Sequence, residues 1–282
     1  MTFRKLSLLS AVAALVMNGI AVGSVWADAA PAPEKAGAAN APFTPQSGQA
    51  GKDVVWVPTP QALVDRMLDM AQVVKQDYLI DLGSGDGRTV ITAAKRGTRA
   101  LGIEYNPEMV ALAKGNAETE GVSALATFER ADIFQSDFSK ASVITLFLLP
   151  ELNLRLRPIL LNMKPGTRVV SNTFNMGDWT ADETIDAGGD CTSWCTAHKW
   201  IVPAKVSGNW QLAGGQLVLT QIFQALDGSL TVAGKPMPIA DAKMNGAEIA
   251  FTVGGQRYTG KVEGTTMKGS IEGGGSWSAT RG

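Results

Sequence analysis

The stretch from Tyr78 to Gly97, YLIDLGSGDGRTVITAAKRG, constrains the fold more than any other part of the chain. Apolar residues run into Asp81, glycines follow at alternate positions, and a segment of helical composition comes next. Glycine has no side chain, so a ligand can approach the backbone N–H groups of such a turn and of the helix after it. The pattern predicts a buried strand, a ligand-binding turn and a helix in direct succession.

The spacing of these glycines disfavours two common phosphate-binding turns. A dinucleotide fingerprint requires GxGxxG, whereas this chain has GxGxG at Gly83, Gly85 and Gly87, and it lacks the Lys-Ser/Thr of a P-loop. Asp81 and Asp86 would repel a pyrophosphate and suit a ligand with a cationic ammonium group. An NAD-dependent oxidoreductase is therefore disfavoured.

Strand-like and helix-like segments alternate after the first strand. This alternation predicts an α/β fold with a doubly wound, mostly parallel seven-stranded sheet that is covered by helices on both faces. A helix is expected after Thr59 as N-cap and Pro60. The predicted strands are 78–82, 100–104, 126–130, 143–148 and 168–173, the predicted helices are 87–96, 107–120 and 151–162, and a hairpin closes the sheet before residue 203.

The composition of the chain changes near Ala204. Glycine recurs every few residues from there to the end, without helical periodicity. This pattern predicts a small all-β meander of about seven or eight strands, in the form of a barrel or a sandwich. We therefore divide the chain into a signal peptide (1–27), a flexible linker (28–52), an α/β domain (53–203) and a small β domain (204–282).

Acidic residues are expected at the ends of the second and third strands. Glu104 follows the glycine turn by about twenty residues, where a carboxylate can accept both hydroxyls of a ribose. Asp132 lies in the loop after strand three and can accept a hydrogen bond from an adenine amino group, while Ile133 packs on the ring. These positions predict a nucleoside site beside the glycine turn.

The segments DLGSGDGR, GIEYNPEMV and ADIF, in this order and spacing, resemble class I S-adenosylmethionine-dependent methyltransferases. The upstream VWVPTP and the later ITLFLLPELNLRLRPILLNMKPGTRVVSNTFNMGDW are similar to the protein-lysine methyltransferases of mitochondrial carrier and ATP synthase subunits. The resemblance implies S-adenosyl-L-methionine as cofactor, with Asp81 and the glycines at its methionine end. The cofactor-binding residues that it implies are Thr59, Asp81, Gly83, Ser84, Gly85, Gly87, Glu104, Tyr105, Asp132 and Ile133.

Methyl transfer requires an aligned nucleophile and a site that excludes water. The loop after strand four lies at the sheet edge where α/β folds bind ligands, so Leu149, Pro150 and Glu151 are catalytic candidates, and Asn172 after strand five is another. Pro150 and Glu151 equally suit a helix N-terminus. Phe174 and Trp179 are either site residues or packing residues, and no residue stands out as a general base.

The first residues have the pattern of a secretory signal peptide. Arg4 and Lys5 precede an apolar run, and Val25 and Ala27 fit a cleavage site after Ala27. This predicts a periplasmic or secreted protein; the alternative is a membrane anchor that is not cleaved. A formal net charge of -1 gives no basic footprint for nucleic acid. A membrane is expected as a partner only if this segment stays in place.

The cysteines and the histidine allow simple interpretations. Cys191 and Cys195 form a small disulfide in the hairpin tip if the protein is exported, and are otherwise free thiols. No metal site is predicted, because His198 is the only other ligand nearby. His198 itself is expected to be structural.

Two functions from different classes follow from the sequence. The first is a methyltransferase that moves a methyl group from S-adenosylmethionine to an unknown acceptor, either a protein lysine or a small molecule. The second is an exported nucleoside-binding or scaffold module that keeps the fold without catalysis. The complete set of Asp81, Gly83, Gly85, Gly87 and Glu104 argues against decay of the pocket.

Overall fold

The computed structural model describes residues 43–189 and 191–282. The signal peptide predicted at 1–27 and the first part of the predicted linker, 28–42, lie outside the described residues. Within the described part of the chain, no helix is both long enough and apolar enough to cross a membrane.

The described residues form helices in the first part of the chain and strands throughout. The helices are α1 Gln61–Met70, α2 Arg88–Lys95, α3 Pro107–Thr119 and α4 Pro150–Leu160. The strands of the first sheet are β1 Tyr78–Leu82, β2 Arg99–Glu104, β3 Ala126–Arg130, β4 Val143–Leu146, β5 Arg168–Asn172, β6 Glu183–Asp186 and β7 Thr196–Ile201. Those of the second are β8 Gly208–Leu212, β9 Gly215–Ile222, β10 Ala225–Val232, β11 Lys235–Pro238, β12 Ala240–Asn245, β13 Glu248–Val253, β14 Gln256–Glu263, β15 Thr266–Ile271 and β16 Ser276–Arg281.

The first sheet has seven strands in the order β3-β2-β1-β4-β5-β7-β6. Strands β1 to β5 pair in parallel, while β7 runs antiparallel to β5 and β6 antiparallel to β7. The predicted doubly wound, mostly parallel sheet is thus confirmed, and the expected hairpin supplies its last two strands. The strand order reverses between β1 and β4, and a crevice opens beyond the carboxyl ends of strands at such a reversal.

Helices cover both faces of this sheet. Alternate residues of a strand point to opposite faces, so Leu79 packs with α1, α2 and α3, whereas Ile80 packs with α4. On the α4 side the core includes Trp179 and Trp200, both fully buried. Burial on both faces explains why β1 reads as a nearly continuous apolar run that Asp81 alone interrupts.

The C-terminal strands form an antiparallel barrel rather than a sandwich. Eight strands close through the β9–β10 pairing, and β11 pairs with the same edge of β10 that β12 reaches. Trp210, Phe251 and Trp277 fill the interior. The sequence predicted seven or eight strands, and β11 is the additional one.

Two local expectations differ from the structure. The N-cap of α1 is Pro60, not Thr59, because the Thr59 hydroxyl accepts a hydrogen bond from Asn172 Nδ2 at 3.2 Å instead of capping the helix. Residues 43–52, assigned to the linker by composition, are ordered in the structure, and residues 49–52 line a cavity of the α/β sheet. The first sheet ends at Ile201 and the barrel begins at Gly208, so the boundary predicted at 203/204 lies in the connection between them.

Candidate functional site

A cavity lies at the carboxyl ends of β1, β2 and β4, where the strand order reverses. Its walls come from the glycine turn, the ends of β2 and β4, the loop after β3, and residues 49–59, which we call the strap. Nine of the cofactor-binding candidates line this cavity: Thr59, Asp81, Gly83, Ser84, Gly85, Glu104, Tyr105, Asp132 and Ile133. The structure therefore brings together residues that lie more than seventy positions apart in the sequence.

Asp81 is the buried acidic group of the cavity. Its side chain accepts a hydrogen bond from Thr145 Oγ1 on the neighbouring β4, at 2.6 Å. Burial raises the pKa of the Asp81 carboxyl to about 7, against the opposing effect of that hydrogen bond, and the charges of Glu104 and Asp86 raise it further. A cation that enters the cavity would favour the ionised form of Asp81.

The glycine turn needs glycine for reasons that differ by position. Gly83 and Gly85 line the cavity with φ angles of +82° and +53°, which side chains disfavour. A Cβ on Gly85 would lie 2.5 Å from Trp56 Nε1. Gly87 lies outside the lining, where a Cβ would meet the ring of Phe128 at 2.7 Å. A contact of Gly87 with the cofactor stays a prediction, and the structure shows this glycine packed closely against Phe128 and Ala113.

Ser84 lines the cavity, but its hydroxyl is buried beside Gly102 of β2. The Ser84 Oγ atom has no hydrogen-bond partner in the described residues.

Glu104 ties the glycine turn to the end of β2. Its Oε2 accepts from the Gly85 N–H at 3.0 Å, and its Oε1 accepts from the Asn106 N–H at 2.9 Å. Each carboxylate oxygen has two lone pairs, so both oxygens can still accept from a ligand. The carboxylate is thereby fixed at the cavity wall, as a ribose-binding group requires.

Asp132 lies across the cavity in the loop after β3. Its Oδ1 accepts from the Phe134 N–H at 2.9 Å, and its Oδ2 accepts from Lys52 Nζ at 2.6 Å. The hydrogen bond from Lys52 lowers the pKa of the Asp132 carboxyl, with a further contribution from the Phe134 N–H. Lys52 Nζ also lies 4.8 Å from the centroid of the Tyr105 ring. A strap residue thus reaches the proposed adenine end of the cavity.

Sequence reasoning predicted only Thr59 of the strap as a cofactor-binding residue and missed the others. Trp56 lies over the glycine turn, and backbone hydrogen bonds from Gly48 N to Trp56 O and from Trp56 N to Gln49 O hold this loop closed on itself. The end of the strap is fixed by Arg88, which donates to the Thr59 carbonyl at 2.9 Å and pairs with Asp86. Trp56 and Thr59 belong to VWVPTP, whose resemblance to the lysine methyltransferases was the signal in the sequence, whereas residues 49–52 were assigned to the linker.

The fourth strand ends against the glycine turn and contributes apolar walls. Phe147, Leu148 and Leu152 line the cavity, and a Cβ on Gly83 would lie 3.2 Å from a Leu148 methyl group. These side chains present no hydrogen-bonding groups, and we call the apolar wall that they form the dry end of the cavity. Phe147 and Leu152 flank the predicted catalytic segment but were not predicted to line the site.

The predicted catalytic residues do not line this cavity. Leu149 is the N-cap of α4, and Pro150 and Glu151 form its first turn, because the chain bends into the helix directly after Leu148. Asn172 is fully buried, with its amide bonded to Thr59 and Thr173. These contacts give all four residues structural roles, and a catalytic role for them stays a prediction.

The remaining candidates take packing roles. Trp179 is buried between Trp200 and Phe223, so of its two interpretations the structure favours packing. The ring nitrogens of His198 contact Thr184 Oγ1 and the Thr173 carbonyl. Cys191 and Cys195 form a disulfide at the hairpin tip. Within the described residues, no group of three or more His, Cys, Asp or Glu side chains is arranged to hold a metal ion.

Comparisons with known proteins agree with this geometry. The family described as the ANTKMT methyltransferase domain matches residues 81–183. A protein-lysine N-methyltransferase from Saccharolobus islandicus is 44% identical over 135 residues, which are 47% of this chain and 84% of that protein. A lysine N-methyltransferase from Rattus norvegicus, named for an ATP synthase subunit, is 36% identical over 140 residues, 49% of this chain and 64% of that protein.

A solved structure supports the cofactor. An RNA methyltransferase from Salinibacter ruber, crystallised with S-adenosyl-L-homocysteine, is 47% identical with a TM-score of 0.50, and the alignment covers 53% of this chain and 96% of that one. The residues matched by the family model, 81–183, lie within the α/β part that holds the cavity. The fold, the acidic and glycine-lined cavity and these relatives together make the chain a member of the class I S-adenosylmethionine-dependent methyltransferases.

Proposed function

We propose that this methyltransferase modifies the side-chain amine of a protein lysine. The observation that carries the proposal is the dry end of the cavity, where Phe147, Leu148 and Leu152 meet the glycine turn. An amine must lose its proton before it can act as a nucleophile, and apolar surroundings favour its neutral form. The names of the Saccharolobus and rat relatives, both lysine methyltransferases, support the same acceptor.

The rest of the cavity suits S-adenosylmethionine along its length. We assign Asp81 and the glycine turn to the methionine end, Glu104 to the ribose, and Asp132 with Ile133 to the adenine. When bound, S-adenosylmethionine supplies an electrophilic methyl group on a positively charged sulfur. Asp81 and Glu104 offset that charge, the backbone at Gly83 and Gly85 allows close approach, and the strap excludes water.

We also propose that the protein works outside the cytoplasm. The pattern of residues 1–27 is that of a cleaved signal peptide. The disulfide between Cys191 and Cys195 supports an oxidising compartment, because such bonds persist there and are rare in the cytoplasm.

One experiment tests both proposals. The full chain is expressed and fractionated, and the purified protein is incubated with radiolabelled S-adenosylmethionine and separate periplasmic, membrane and cytoplasmic extracts. We expect the protein in the periplasmic fraction with its first 27 residues removed, and label in a protein band that yields methyl-lysine on hydrolysis. Label confined to RNA or to a small molecule would contradict the lysine acceptor. Binding of the cofactor without transfer to any extract would favour the scaffold interpretation.

Cofactor affinity is expected to depend on pH through Asp81. Its pKa is raised to about 7, so the free protein holds a proton there in mildly acidic solution. If the cationic end of the cofactor binds the ionised carboxylate, affinity increases as pH rises through about 7 and binding releases a proton. Between pH 6 and 7.5 the ionised fraction increases roughly eightfold, and calorimetry should show a similar gain in affinity.

The matched control for this titration is Asp81→Asn, which keeps an acceptor for Thr145. It should bind the cofactor weakly and with a flat pH profile over the same range. The stability of the free protein depends on pH with the opposite sign. The raised pKa of Asp81 in the folded state stabilises the protein fully below the unfolded pKa of about 4, and this contribution is lost as pH rises through about 7. An equal pH dependence in the wild-type protein and in Asp81→Asn would remove Asp81 as its source.

A further inference from the structure

Three aromatic rings pack together beside the dry end of the cavity. The centroid of Phe147 lies 6.1 Å from that of Phe174 and 5.7 Å from that of Trp194, and the Phe174 and Trp194 centroids are 5.9 Å apart. We call these three residues the aromatic cluster. Phe147 belongs also to the wall of the cofactor cavity, so the cluster is continuous with that cavity.

The sheet explains why residues so distant in sequence meet here. Phe147 follows β4 directly, and Phe174 follows β5 with one residue between them. These strands are parallel neighbours, so both residues emerge at the same edge. The tip of the β6–β7 hairpin reaches this edge through the hydrogen bond from Thr173 N to Thr196 O, at 2.7 Å. That contact brings Trp194 beside the two phenylalanines.

The loop that carries Trp194 is constrained. Cys191 and Cys195 are joined on either side of it, which limits the conformations of the residues between them. Trp194 has a φ of +58° and Thr173, next to Phe174, has a φ of +59°. Non-glycine residues rarely adopt this region, and such residues concentrate at functional sites. Despite these constraints Trp194 is 41% exposed, so part of its ring remains open to solvent.

Among the described residues, no lysine or arginine lies over a ring of the aromatic cluster. In the described part of the chain, five other aromatic rings each lie beneath a lysine or arginine: Tyr105, Tyr78, Phe134, Phe223 and Trp210. Phe147, Phe174 and Trp194 do not. The face of a tryptophan ring is the best aromatic site for a cation, and quaternary ammonium ligands are bound in this way. The open Trp194 surface is therefore accessible to a cation from outside the chain.

We propose that the aromatic cluster is the acceptor subsite of this enzyme, with Trp194 as its outer wall, and that it holds the aliphatic stem and the amine or methylammonium head of a lysine side chain. This inference rests on the function proposed above and identifies where the acceptor binds. Trp194 positions the acceptor, Phe147 is the wall that the subsite shares with the cofactor cavity, and the disulfide holds Trp194 in place. No bond is made or broken by these residues.

The test uses small probes, since the acceptor protein is unidentified. Nα-acetyl-Nε-trimethyl-lysine amide is titrated into the full chain saturated with S-adenosylhomocysteine, and the indole N–H signal of Trp194, assigned by its loss in Trp194→Phe, is followed by NMR. The neutral isostere of the same probe, with a tert-butyl head group, is titrated in parallel. We expect the cationic probe to shift the Trp194 signal and to bind more tightly than the neutral one.

Variants distinguish a wall from a structural residue. Trp194→Ala should lower the affinity for the cationic probe about 3- to 30-fold, because the aromatic face is lost. The affinity for S-adenosylhomocysteine should stay within about twofold of wild type. Trp194→Phe should retain most of the probe affinity. The double variant Cys191→Ser/Cys195→Ser should lower the affinity for the cationic probe and leave the affinity for S-adenosylhomocysteine unchanged. Val232→Ala, which shortens an exposed side chain on the barrel, should change neither.

The possible failures are distinct. Unchanged probe affinity in Trp194→Ala, or equal binding of the cationic and neutral probes, would overturn the acceptor subsite while the methyltransferase assignment stands. No binding of the cationic probe to the wild-type protein would do the same. A wild-type protein that fails to bind S-adenosylhomocysteine in the first step of the titration would instead contradict the function on which the inference rests.

Discussion

Gly85→Val should abolish binding of S-adenosylmethionine. The backbone at Gly85 has a φ of +53°, which costs a residue with a side chain about 1–2 kcal/mol, and more when the side chain is β-branched. A Cβ there would also lie 2.5 Å from Trp56 Nε1, so the strap has to move. The displaced turn would lose the hydrogen bond from Gly85 N to Glu104 as well. We expect the affinity, measured by calorimetry, to fall by more than about 100-fold.

A glycine elsewhere provides the control. Gly121 has a φ of +68°, but a Cβ added there would have nothing within 4 Å, so Gly121→Val carries similar backbone strain without a clash at the cavity. It should lower thermal stability and leave cofactor affinity within about twofold. The barrel, whose core does not include the glycine turn, should remain folded in both variants. Gly85→Val protein that binds the cofactor within about fivefold of wild type would contradict the placement of the cofactor against this turn.

The parallel sheet could be predicted from the sequence because its signals are local. Residues 78–82 and 126–130 were predicted as strands with the bounds that β1 and β3 have in the structure, since apolar runs and turn residues mark their ends. The fourth strand was predicted to reach residue 148, but β4 ends at Leu146. Phe147 and Leu148 leave the sheet to form the cavity wall, and an apolar sequence cannot distinguish a strand from such a wall.

The contacts of the strap could not be predicted because they are not local. Residues 49–52 have the composition of a linker, and nothing adjacent in sequence indicates that Lys52 meets Asp132, eighty residues away. Trp56 likewise becomes a cavity residue only through its position over Gly85. Phe174 was predicted at the same sheet edge as the loop after strand four, but the same reason applies to Trp194 of the aromatic cluster. Phe147, Phe174 and Trp194 belong to three separate segments, and only the strand order of the sheet brings those segments to one edge.

The acidic residues show how far pattern reasoning extends. Glu104 and Asp132 were predicted from their positions after parallel strands, and both line the cavity. What the pattern could not supply is their hydrogen bonding. Glu104 holds the glycine turn as well as facing the cavity, and Asp132 is paired with a strap lysine. A carboxylate at such a strand end can therefore be structural and ligand-binding at once, and a variant has to be designed to separate the two effects.

Glu104→Ala should weaken cofactor binding by on the order of 1–3 kcal/mol, or about 5- to 150-fold. Part of this loss comes from the ribose hydroxyls, which we propose bind the free lone pairs of the carboxylate. The other part comes from the N–H groups of Gly85 and Asn106, which lose their acceptors at 3.0 and 2.9 Å. The matched control is Glu108→Ala, which removes an exposed carboxylate from the first turn of α3. It should bind as wild type does.

A double cycle with the ligand separates the two parts. S-adenosylhomocysteine and its 2′-deoxy analogue are each titrated into the wild-type protein and into Glu104→Ala. If Glu104 binds the ribose, loss of the 2′-hydroxyl weakens binding to the wild type but changes little in the variant, because the partner of that hydroxyl is already absent. If Glu104 only holds the turn, removal of the 2′-hydroxyl lowers the affinity of both proteins by the same factor, and the ribose assignment is wrong. The same result would leave Glu104 as the residue that shapes the Gly85 backbone for the cofactor, since its two hydrogen bonds to the turn and to Asn106 do not depend on the ligand.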